Sequence, residues 1–184
     1  MNDKTSIRNR QFFLAALVLI GMIVMGGLFQ LYMDYIKKDV DSTVNQNSKI
    51  DQHFNAGIDY MLNKQFSQAA IEWQQILLIT KKIPEVHVNL GFSLIEAKNY
   101  QQAADHFLTA MDLNAFQANA YYGLAVCYEK LGDLKAAMGS MRSYIHLSKE
   151  GDPFVRKARS ALWEWENPLD QPIIKNQQST ESNQ

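Results

Sequence analysis

Apolar residues are distributed in two different ways along this chain. From Gln11 to Met33 no residue is charged, and FFLAALVLIGMIVMGGLF (12–29) is almost continuously apolar. From Ile50 onward, apolar positions instead recur at i, i+3, i+4 and i+7 with charged and amide residues between them, which predicts amphipathic helices. The first pattern predicts a membrane anchor. At helical rise, 11–33 is about 34 Å long, against a hydrocarbon core of about 30 Å. A buried core helix would carry polar residues on one face, and this stretch has none. A cleaved leader would end in small residues, whereas Gly26-Gly27 leads back into Leu28, Phe29, Leu31 and Tyr32.

The basic residues around the anchor set an expected orientation. Lys4, Arg8 and Arg10 precede it and Lys37 and Lys38 follow, a bias that favours a cytoplasmic N-terminus on a short cationic tail (1–10). Tyr32 and Tyr35 suit the far interface. The rest of the chain is then periplasmic if the membrane is a bacterial inner membrane, the expectation adopted here. In a mitochondrial outer membrane it would face the cytosol. Residues 34–49, DYIKKDVDSTVNQNSK, have few bulky apolar side chains and read as a polar, helical spacer.

The second pattern repeats itself. Copies at 50–83, 84–117 and 118–151 align without a gap. Ala56-Gly57, Tyr60, Phe66, Ala69, Trp73 and Ile76 of the first become Leu90-Gly91, Leu94, Tyr100, Ala103, Phe107 and Ala110 of the second. In the third they are Leu124-Ala125, Tyr128, Leu134, Ala137, Met141 and Tyr144. Each copy holds two apolar stripes separated by a turn-like break, at NKQ (63–65), AKN (97–99) and LGD (131–133), so each is a helical hairpin. Small residues at Gly57, Gly91 and Ala125, and at Ala69, Ala103 and Ala137, mark where the two helices cross. Trp73, Phe107 and Met141 are expected to fill space against the following hairpin. One hairpin cannot bury both of its faces, so the copies must stack.

A period of 34 residues with these small, Tyr and Ala-before-aromatic positions resembles the tetratricopeptide repeat. The resemblance covers 50–151 and implies an α-solenoid. Two features depart from the family pattern. The proline that often ends a repeat is missing from its usual place, although Pro84 opens the second copy, and the position usually held by Trp carries His53, His87 and Tyr121. After the third copy, Asp152-Pro153 can start a helix whose apolar face is Phe154, Ala158, Ala161, Leu162 and Trp165, ended by Asn167-Pro168. It reads as the cap that a solenoid needs. The alternative is a partner-binding pair of Trp163 and Trp165. A polar, disordered tail is expected at 168–184. The expected architecture is therefore all-α: a single N-terminal transmembrane helix, three helical hairpins and a C-terminal capping helix.

Composition removes several function classes. A net charge of −1 gives no basic face for nucleic acid, and the single Cys127 allows neither an internal disulfide nor a CxxC site. No phosphate-cradling glycine loop, HExxH or GxSxG occurs. His53 and His87 share one repeat position and are expected to fill helix contacts, and Cys127 to be a buried thiol. No catalytic residue, metal ligand or cofactor is expected, and the chain does not read as an enzyme.

Binding remains. The resemblance implies an inner groove lined by first-helix residues, here Phe54, Ile58 and Met61, then Val88, Phe92 and Ile95, then Tyr122, Val126 and Glu129, with Asn55 and Asn89 beside them. Family members that capture chaperone C-terminal carboxylates use Lys, Arg and Asn at these places. No Lys or Arg stands there, so that clamp is absent. The expected partner is a short amphipathic or apolar segment of another protein, unless the spacer or the C-terminal helix covers the groove. The functional expectation is a membrane-anchored scaffold that binds a segment of another envelope protein as an assembly or biogenesis factor. The alternative is a permanent accessory subunit of a membrane complex.

Overall fold

The computed structural model describes the backbone of residues 3–167 and the side chains of 19–167. The tail expected at 168–184 lies outside the described residues, as do the side chains of Lys4, Arg8 and Arg10. Among the described residues there are seven α-helices and no strand: α1 (Asp3–Leu62), α2 (Phe66–Ile79), α3 (Pro84–Glu96), α4 (Tyr100–Leu113), α5 (Ala118–Leu131), α6 (Leu134–Leu147) and α7 (Phe154–Glu166). The chain divides into two units, Met1–Lys49 and Ile50–Gln184.

In the first unit α1 is unbroken. It begins at Asp3 rather than at Gln11, because no glycine or proline interrupts the backbone between the cationic residues and the apolar run. It continues through 34–49, and every described side chain from Leu19 to Lys49 is exposed. The helix is long and apolar enough to cross a membrane.

The second unit stacks helical hairpins: the end of α1 with α2, α3 with α4, and α5 with α6, followed by α7. The three breaks share one backbone solution. Lys64, Lys98 and Gly132, spaced a repeat apart, adopt positive φ of 58°, 62° and 87°. After each, an amide closes a Schellman turn: Gln65 N–H donates to Tyr60 O at 2.8 Å, Asn99 to Leu94 O at 2.9 Å and Asp133 to Tyr128 O at 2.9 Å. Asp133 also caps α6 by accepting from Ala136 N–H at 2.9 Å. Only the third copy places a glycine where the turn needs one. The first two hold lysine in a region that disfavours any residue with a Cβ.

The core confirms why hairpins must stack. Buried residues fall into three clusters, each joining one hairpin to the first helix of the next. One gathers Ala69, Trp73 and Ile76 of α2 with Val86 and Leu90 of α3. A second gathers Ala103, Phe107 and Ala110 of α4 with Ala120, Leu124 and Cys127 of α5. The third gathers Ala125, Met141, Tyr144 and Ala158, across α5, α6 and α7.

The large knobs do more than fill space against the following hairpin. Trp73 lies over Gly57 of its own hairpin, where a Cβ would come within 2.7 Å of the ring, and meets Phe54 edge-on at 5.2 Å. Phe107 lies over Gly91 of its own hairpin, where an added Cβ would be 2.7 Å from the ring, and also against Gly123 of the next, where an added Cβ would clash more severely. In the third copy Ala125 stands in the glycine position, and the knob is the narrower, flexible Met141. Glycine is therefore required where the opposing knob is a flat ring, because no other residue lets the ring reach the backbone.

Candidate interaction groove

The nine side chains expected to line the groove all lie on first helices, with different exposures. Phe54, Ile58, Asn89, Phe92, Ile95, Tyr122 and Val126 are half-buried, Asn55 is exposed, and Val88 is buried at 3% exposure. Val88 belongs to the core cluster with Ala103 and Phe107 and offers no surface to a ligand. Phe54 and Tyr122 occupy the same repeat position. Their longer side chains reach out of the core, whereas the short valine sinks into it.

Aromatic contacts join neighbouring repeats. Phe92 packs edge-on against Phe107 at 5.1 Å and lies 6.5 Å from Tyr122, which meets Tyr144 edge-on at 5.2 Å. Tyr122 is thereby seated among α5, α6 and α7. Phe54 and Ile58 sit in the first cluster, with Met61 beside them. Among the described residues neither the Asn55 nor the Asn89 side-chain amide has a hydrogen-bond partner, so both can serve a ligand backbone. The one charged residue of the strip, Glu129, meets Lys130 at 3.4 Å. The surface is an apolar aromatic strip with two free amides and no cation.

On the same helices, the position held by His53, His87 and Tyr121 has a structural role. His53 Nδ1 meets the Glu72 carboxylate at 2.7 Å on its own second helix. His87, 6% exposed, uses both ring nitrogens: Nε2–H donates to the Lys81 carbonyl at 3.3 Å, and Nδ1 faces His106 Nδ1 at 3.1 Å. Both contacts are satisfied when His87 is neutral and His106 donates its Nδ1–H. Burial holds His87 below the ordinary histidine range, opposed by the Lys81 carbonyl. Burial also lowers His106, helped by charge repulsion from His87 and opposed by Asp105. One repeat later, Tyr121 OH donates to the Ala115 carbonyl at 3.1 Å. His87 and Tyr121 thus tie the same inter-repeat linker carbonyl, which explains why a polar donor serves at this position.

Among the described residues no three His, Cys, Asp or Glu side chains converge on a metal-sized space. Cys127 is fully buried, and burial pushes its thiol up to about 12, so it stays protonated. The sequence reading missed the partners of the histidines. The signal was present in the register, since Glu72 and His106 stand at one repeat position, 19 residues after His53 and His87.

Comparison with known proteins agrees with this geometry. Residues 119–148 match the family model described as Tetratricopeptide repeat. No curated protein matches the sequence. Among solved structures, the first TPR of Spaghetti (RPAP3), bound to an HSP90 peptide, is 18% identical, with a TM-score of 0.60 over 66% of this chain and 94% of that one. The TPR2B domain of yeast Sti1, in a complex with pHsp70, is 11% identical, with a TM-score of 0.61 over 65% of this chain and 98% of that one. PcrH, in complex with the chaperone-binding region of PopD, is 16% identical, with a TM-score of 0.63 over 67% of this chain and 96% of that one. One repeat is thus matched in sequence, at residues 119–148, and the stacked hairpins have the fold of tetratricopeptide-repeat domains.

Proposed function

We propose that this protein is a membrane-anchored scaffold whose groove holds a short amphipathic or apolar segment of another envelope protein during assembly of a membrane complex. The observation that carries the reading is the half-buried strip of Phe54, Ile58, Phe92, Ile95, Tyr122 and Val126, with the free amides of Asn55 and Asn89 and no cation. An apolar strip with amides along it suits a segment whose side chains fill pockets while its backbone is hydrogen-bonded. The solved structures of RPAP3 with an HSP90 peptide, and of PcrH with the chaperone-binding region of PopD, hold segments of partner proteins on the same fold, which supports a binding role. The reading is of a binding protein and not an enzyme.

The anchor reading rests on the apolar run of α1, whose described side chains from Leu19 to Met33 are exposed. The basic residues Lys4, Arg8 and Arg10 favour a cytoplasmic N-terminus and periplasmic repeats in an inner membrane. Tethering confines the encounter to the membrane plane and raises the effective concentration of the groove.

Photo-crosslinking from position 92 in native membranes tests this reading, with exposed Lys135 as the control. A single protein trapped from 92 and not from 135, in sub-stoichiometric amount, is the expected result. One-to-one copurification after detergent extraction would instead make the chain a permanent subunit. Crosslinks confined to the chain itself would refute an open groove.

A further inference from the structure

Between the uncharged run and the repeats, α1 carries a stripe of its own. Phe29, Met33, Ile36, Val40, Thr43 and Asn47 follow one another at alternating steps of four and three residues. That is the heptad spacing, which keeps one stripe turned toward a partner helix. All six side chains are exposed. Most of the other face is polar, with Asp34, Lys38, Asp41, Ser42 and Asn45. A lone helix of this length is marginal in water, and among the described residues no ion pair along 34–49 supports it.

The composition of the stripe points to an identical helix. Val40 shares its heptad position with Met33 and Asn47, and a β-branched residue there favours two parallel strands. Thr43 Oγ1 donates to the Asp39 carbonyl at 3.0 Å, so its hydroxyl is satisfied within the helix and its methyl group can be buried. Side-chain hydrogen bonds on either side involve Thr43 and His53 but not Asn47. A single amide at this heptad position pairs with its twin across a two-stranded seam and fixes the register. In a parallel pair, each flank of the seam carries Lys37 of one helix and Asp39 of the other. Opposite charges therefore share each flank, and no like charges face each other.

Fewer than three heptads is short for a coiled coil free in solution. Anchoring changes the balance. Two copies held by the same anchor share orientation and depth, which brings their stripes into register. Confinement to one membrane also removes much of the entropy cost of association. We propose that two copies of this chain pair in parallel through residues 29–47 of α1. The pairing rests on the membrane-anchor reading and goes beyond it, because the repeat units are then carried in twos. A partner with two binding segments is accordingly held more tightly than a partner with one.

The experiment uses the full chain in native membranes, with single cysteines introduced along α1. Cys127 is fully buried and stays protonated, so it adds little background. Oxidation with copper phenanthroline is expected to give disulfide dimers from Ile36→Cys, Val40→Cys and Thr43→Cys. Their yield should exceed that from Lys38→Cys, Asp41→Cys and Asn45→Cys about fivefold or more. The exposed-site double variant Ile36→Glu/Val40→Glu should abolish the Thr43→Cys dimer and leave the denaturation midpoint of the repeat unit unchanged. Equal yields around the helix, no dimer from the stripe, or disulfides to a different protein instead would overturn the proposal. Alkaline extraction tests the anchor separately. A chain released from the membrane refutes anchor and pairing together, whereas a chain that is retained but monomeric refutes the pairing alone.

Discussion

In the second hairpin Phe107 lies over Gly91 and Gly123, and His87 meets His106 across the two helices. In the third, the corresponding seats hold Ala125 with Met141, and Tyr121 with Ser140. Both hairpins follow one backbone plan and both tie a linker carbonyl from the same position, Lys81 O through His87 and Ala115 O through Tyr121. What differs is how tightly each is committed. A ring pressed on two glycine backbones leaves no slack, whereas a thioether over an alanine can shift. A neutral histidine pair depends on pH, whereas Tyr121 holds its carbonyl through one hydroxyl hydrogen bond. The repeat dictates where side chains meet and leaves open what they do there.

Removing the ring should break the comparison most strongly. Phe107→Ala is expected to destabilise the repeat unit by about 3–5 kcal/mol, read by urea denaturation of the full chain in mild detergent. A loss of under about 1 kcal/mol would mean that the site collapses and that the glycines are not shaped around the ring. Crowding the ring is the next test. Gly123→Ala should cost about 1–3 kcal/mol through overpacking. Gly91→Ala should cost less in a Phe107→Met background than alone, because that pair reproduces the third hairpin, and a double-mutant cycle reads the coupling directly.

The hairpin turns offer a smaller test of opposite sign. Lys98→Gly should stabilise by about 1 kcal/mol by relieving a left-handed lysine, and Gly132→Ala should cost a similar amount. Equal effects of one sign in both would show that the turn does not impose its φ.

The histidine pair supplies the finest discrimination. His87 and His106 are both held below the ordinary histidine range of about 6.5 in the fold. The unfolded chain therefore binds more protons between the lowered values and about pH 6.5. Their contribution to stability is complete above that pH and declines as pH falls below it. Denaturation midpoints measured from pH 8 to 5 should fall accordingly. Transplanting the third hairpin's pair, His87→Tyr with His106→Ser, should flatten that part of the slope. An unchanged slope would show that the pair does not titrate with folding.

Much of the architecture was legible in the residues. Small positions at Gly57 and Gly91, alanines at 69, 103 and 137 and bulky residues at 73, 107 and 141 recur every 34 positions, and that period specifies a hairpin array whichever residues decorate it. The uncharged run 11–33 was equally plain, because a helix in hydrocarbon tolerates few charges. The candidate strip was legible by position but not by depth. Val88 shares a seat with Phe54 and Tyr122 yet is buried, since the side chain's length decides whether a semi-buried seat reaches the surface.

The sequence by itself determined the all-α class, the period, the turns and the apolar helix, since each follows from local spacing along one chain. The tertiary structure alone decided that Phe107 bridges two glycines of different hairpins and that His87 pairs with His106. These depend on the distance and angle between neighbouring helices. Those quantities come from the packing of several side chains at once, which no single stretch of sequence encodes.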